Sequence, residues 1–189
     1  MKAHRVARVL GAALALGLIV GCGGGGSGSS NRVSIGGNAN YPASLGGGAA
    51  ADSDFVVINP DRPNDPLVSD VTTDVGRFFG IIRKTISVAV IVSGRVDGQP
   101  VRVSGLLAAD ENNDDKQLDG QTDIACEAGV QAVIDGEIDG GDLGTRRIAN
   151  LEDAAARFVA TTDFTDPASV TAAANQVRVL TDNGDHPAP

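Results

Sequence analysis

The chain has 189 residues with 15 basic and 24 acidic side chains; three of the bases (Lys2, Arg5, Arg8) and none of the acids precede Cys22, so twelve bases face 24 acids from there onward and the net charge is near −12. That excess argues against a nucleic-acid partner, because phosphate binding needs clustered Lys and Arg. Trp is absent, Tyr41 is the only tyrosine and Phe occurs five times, so the core of a single domain must be built from Val, Ile, Leu and Ala.

The positive charges of the first eight residues precede an unbroken apolar and small run of twelve, Val9 to Val20. At helical rise it covers about 18 Å against a hydrocarbon core of about 30 Å, which suits the h-region of a signal peptide and not a membrane span. The run closes on Ile19-Val20-Gly21-Cys22, which resembles the lipobox of bacterial lipoproteins. The resemblance covers residues 1–22. It implies a signal peptide over residues 1–21, diacylglycerol on the Cys22 sulfur, acylation of the new amine, and a membrane partner reached through that lipid. Two or three acyl chains anchor stably where one would be marginal. Within the family, Gly23 in place of an Asp points to the outer membrane if the organism is Gram-negative; the address is otherwise the cell envelope. With Cys22 acylated, Cys126 is alone, no intramolecular disulfide can form, and Cys126 reads as a small buried apolar residue.

Residues 22–52 are dominated by Gly, Ser, Ala and Asn and read as a lipid-anchored, disordered linker. A globular domain is expected over 53–181 and a flexible tail over 182–189. Asp54 to Asn59 suits a short strand, with Pro60, Pro63 and Pro66 making an irregular loop after it. Val71, Val75, Phe78, Phe79 and Ile82 recur at helical spacing and predict a helix in which Gly76 and Gly80 allow close packing. Thr85 to Val96 is β-branched and apolar on both faces, as for a central strand. Asp97-Gly98 is a type I′ turn signal, and Gln99 to Leu107 returns to make a hairpin.

The stretch Ser93-Gly94-Arg95-Val96-Asp97-Gly98-Gln99-Pro100-Val101, followed by Ala108-Ala109-Asp110, resembles the opening of carboxypeptidase regulatory-like and related transthyretin-like sandwich domains. That resemblance is confined to the hairpin and implies further strands, whereas helical patterns flank it here. Downstream, Asp123 to Ile138 is ambiguous and leans to helix. Asn150 can cap a helix over Leu151 to Ala160, and Asp166-Pro167 is a cap-plus-first-turn signature for one reaching Leu180.

Between Asp110 and Asp142 eleven acids face one base, Lys116. Asp110, Asn112 and Asp114 fit the first three ligand positions of a calcium loop, but the turn Gly is Asp115 and the closing Glu is Gln121. A solvated acidic loop without metal is the preferred reading. The alternative is Ca²⁺ held by Asp110, Asn112, Asp114 and Asp119. The only histidines, His4 and His186, lie in the leader and the tail, which removes histidine-based triads and zinc sites from the folded body. No phosphate-binding loop, nucleophile elbow or H-E-x-x-H occurs.

The sequence therefore predicts an α+β domain: a small antiparallel sheet around a central hairpin, packed by about three helices, with a disordered N-terminal linker and C-terminal tail. The expected function is a non-enzymatic structural or binding module of the envelope with an envelope protein as partner. A calcium-dependent adhesion or solute-binding domain using segment 110–142 is the alternative.

Overall fold

The computed structural model describes residues 32–83, 86–109 and 113–182, with backbone alone at 83, 113 and 114. In chain order these form β1 (Arg32–Ala39), β2 (Asp54–Asn59), β3 (Arg62–Val71), β4 (Arg77–Arg83), β5 (Val88–Val96), β6 (Gln99–Leu107), β7 (Asn113–Leu118), α1 (Gly120–Ile134), α2 (Thr145–Ala155) and α3 (Pro167–Asp182). The fold is α+β. Its strands make two sheets, ordered β4-β1-β7 and β3-β2-β5-β6. Among the described residues no helix is long and apolar enough to cross a membrane.

The hairpin of β5 and β6 forms as its sequence predicts. Pairing runs from Val88 opposite Leu107 to Val96 opposite Gln99, and Asp97 and Gly98 both take positive φ, 51° and 79°, as a type I′ turn requires. Both faces of this sheet are covered. Phe55 of β2 meets Phe78 of β4 with ring centroids 6.0 Å apart, and Gly80 of β4 lies against Ile35 and Val68, so the two sheets pack face to face. The opposite face of β6 carries α1, and a Cβ at Gly129 would come within 2.7 Å of Leu106. Val88, Val90, Val92 and Val103 are fully buried between these layers.

Five expectations need correction. The linker assigned to residues 22–52 ends much earlier than its composition suggests, since β1 is the central strand of the three-stranded sheet and Ile35, Ala39, Leu45 and Ala50 are buried in the core. Glycine here serves a close approach: a Cβ at Gly37 would fall on the carbonyl oxygen of Lys116 in the parallel neighbour β7. The helix expected over Val71 to Ile82 is instead the end of β3, a turn, and β4. Gly76 has φ +73°, and a Cβ there would lie 2.8 Å from the Ala39 carbonyl oxygen. Beyond it Phe78, Gly80 and Ile82 turn inward while Arg77, Phe79 and Ile81 turn out, a period of two that the helical spacing hides.

The irregular loop after Asn59 is likewise a strand, β3, which tolerates Pro63 and Pro66 because it is an edge strand with register shifts opposite Ile58 and Asn59. The single antiparallel sheet becomes two sheets, one containing the parallel β1–β7 pair. Of the helices, α3 starts at Pro167 as expected, with Asp166 Oδ1 accepting the Ala168 amide at 3.0 Å. The ambiguous segment Asp123 to Ile138 is helical as far as Ile134, in a helix that starts at Gly120, and its last four residues are turn and bend. The helix expected over Leu151 to Ala160 runs instead from Thr145 to Ala155, so Asn150 lies inside α2 and residues 156–160 are turn.

Candidate functional site

Alternation along β6 sends Val101 and Val103 into the core and leaves Arg102 half-exposed on the face that carries the helices. On α1, Asp123 and Glu127 are one helical turn apart and share a face. Packing α1 on β6 brings the three together. Arg102 Nη2 donates to Glu127 Oε2 at 3.0 Å, and its Nε stands 3.9 Å from Asp123 Oδ1. Ser104, two residues along β6, donates its hydroxyl to Asp123 Oδ1 at 2.6 Å. Asp123 is only 3% exposed, and it is the one charged side chain buried among the described residues.

A groove of about 380 Å³ opens beside this cluster between the hairpin, α1 and the start of α3. Its apolar wall includes Val101, Phe164, Pro167 and Val170, while Thr165 and Thr171 add hydroxyls. Thr171 Oγ1 stands 3.5 Å from Glu127 Oε1. Burial is the main influence on Asp123 and pushes its pKa up to about 6, against the opposing pull of Arg102 and Ser104. Burial also disfavours charge on Arg102, but Asp123 and Glu127 outweigh it and raise that pKa. The neighbouring Cys126 thiol is pushed by burial up to about 12. It is a free, buried cysteine, as its sequence context suggests, and stays protonated at neutral pH.

Of the residues proposed for calcium, Asp110 and Asn112 lie outside the described residues, and of Asp114 only the backbone is described. Asp119 caps α1. Its Oδ1 accepts the amides of Gln121 and Thr122 at 2.9 and 3.1 Å, and Thr122 Oγ1 accepts the Asp119 amide at 2.8 Å. The signal-peptide residues and Cys22 also lie outside the described residues.

The acids read as one loop are divided by α1 among separate partners. Arg178 of α3 pairs with Asp135 at 2.8 Å and with Glu137, Asp123 and Glu127 belong to the Arg102 cluster, and Lys116, the one base of the segment, pairs outside it with Glu152 of α2. Among the described residues no group of three or more His, Cys, Asp and Glu side chains is arranged to hold a metal ion. A second depression, about 460 Å³, lies between α1, α2 and α3; Arg146, Arg147 and Arg178 are balanced there by Glu137, Asp142 and Asp182.

The sequence holds one local signal for the groove, the i, i+4 spacing of Asp123 and Glu127. Nothing local pairs those acids with Arg102, which precedes them by more than twenty residues. No family model, curated protein or solved structure matches the chain, and the groove is therefore interpreted from its own chemistry.

Proposed function

We propose that the protein is a lipid-anchored, non-enzymatic binding module of the cell envelope, tethered through Cys22 and binding its ligand in the groove beside Asp123. The observation that carries the binding role is the buried Asp123 carboxylate at the wall of an open groove, where desolvation makes charge most effective in selecting a partner. Two carboxylates face one guanidinium there. The ligand class that suits this imbalance is a cationic group, ammonium or guanidinium, carried on a short apolar stem that packs against Phe164 and Val170. The protonated Cys126 and the absence of histidine between His4 and His186 support binding over nucleophilic or acid–base turnover.

Amide chemical shifts of the exported chain, titrated with short lysine- and arginine-containing peptides, test the groove. Saturable shifts at Gly94, Arg102 and Thr171 are expected, and Glu127→Gln should weaken them about tenfold, the effect of losing one charge-assisted hydrogen bond. Shifts confined to other surfaces would reject the assignment. The anchor has its own test. The mature chain should begin at Cys22 with the mass of an acylated cysteine, and Cys22→Ser should remove both features.

A further inference from the structure

Seven large apolar side chains stand substantially exposed among the described residues, and five of them, Leu67, Val71, Val75, Phe79 and Ile81, belong to β3, β4 and the turn between them. Phe79 and Ile81 are 62% and 55% exposed. They lie on the outer face of β4, an edge strand. The register places Gly36 opposite Phe79 and Ser34 opposite Ile81, so both large side chains project beyond small neighbours. At the same end of the sheet the backbone pairs Arg83 with Arg32, the exposed first residue of β1. Asp70 lines a depression with both Arg77 and Phe79, and exposed Asp74 lies in the turn that precedes β4.

This basic, apolar end is also where the chain enters the fold. Nine residues separate Cys22 from Arg32, and ten residue steps reach at most about 35 Å even when fully extended. An acylated Cys22 would therefore keep Arg32 within about 35 Å of the bilayer whatever path the intervening chain takes.

We propose that the outer face of β4, through Phe79 and Ile81 with Arg32 beside them, is the surface by which the anchored domain rests on a phospholipid bilayer. The apolar side chains sit at headgroup level and the arginine meets lipid phosphate. The surface rests on the anchored reading of Cys22 for its proximity to lipid, and it is separate from the groove, which it leaves open to a ligand.

The absence of Trp permits single-Trp reporters. The full exported chain carrying Cys22→Ser and an N-terminal hexahistidine tag is held on vesicles by a nickel-chelating lipid, so that tethering does not depend on acylation. The vesicles contain phosphatidylcholine and phosphatidylglycerol with brominated acyl chains. A Phe79→Trp reporter should show about twofold quenching with a blue shift, as expected for a side chain seated at the acyl boundary. A Val179→Trp reporter on α3, equally exposed at 58% in the parent, should show neither.

Equal, weak quenching of both reporters would overturn the proposal. So would a blue shift of the Phe79→Trp reporter without vesicles in a chain that sediments as a dimer, since a second copy would then cover the face. Failure of the anchor shows separately, as an unacylated mature N-terminus in the parent protein, and leaves the reporter result to stand or fall alone.

Discussion

Asp123 carries a charge in a place that disfavours it, and its titration has a definite sign. An unfolded chain releases this proton near pH 4, whereas the folded protein holds it up to about 6. Between those values the native state binds a proton that the unfolded state does not, so stability contributed by this group falls as pH rises from about 4 to about 6. Above that the cost is constant, about 3 kcal/mol for a shift of about two pKa units. Asp123→Asn keeps an oxygen for the Ser104 hydroxyl and removes the charge. Urea unfolding at pH 4 and pH 7 should show the variant gaining up to about 3 kcal/mol on the parent between the two conditions. A parent-to-variant difference independent of pH would mean that Arg102 and Ser104 compensate the buried charge in full. The acid at position 123 is visible in the sequence, but its burial is not, because burial depends on where β6 lies.

The start of α1 depends on a reciprocal cap that the sequence contains but that competes there with a metal-loop reading. Asp119 satisfies two amides at the helix start that have no intrahelical partner. Asp119→Ala is therefore expected to destabilise the protein by about 1 kcal/mol in chemical denaturation. The capping role further requires the same loss in EDTA and in millimolar calcium, whereas a ligand role would make the loss calcium-dependent. Strand β4 illustrates the opposite difficulty. Val71, Val75, Phe78, Phe79 and Ile82 satisfy a helical spacing, yet Phe79 is exposed and Phe78 buried, as alternation demands. Two adjacent phenylalanines fit either period, and only the positive φ of Gly76 and the pairing of β4 with β1 choose between them.

In the whole molecule, residues 32–52 are part of the foundation. β1 separates β4 from β7 in the sheet order, and Tyr41 bonds the Ser53 hydroxyl at 2.9 Å inside the core. A chain beginning at Ser53 would leave both neighbours of β1 without a partner strand. Such a chain should lose amide dispersion and cooperative thermal unfolding, while one beginning at Asn31 should keep both; a cooperatively folded chain from Ser53 would show β1 to be dispensable. The sequence by itself determined the β5–β6 hairpin, the Asp166-Pro167 start of α3 and the apolar character of both faces of β5. Each of these depends on dihedral preference, capping or periodicity within a few neighbouring residues. Only the tertiary structure decided that β1 is a central strand, that residues 71–82 are not helical and that Arg102, Asp123 and Glu127 meet. Those outcomes depend on what lies across the sheet: Gly37 reads as linker glycine until the Lys116 carbonyl of β7 occupies the space a side chain would need.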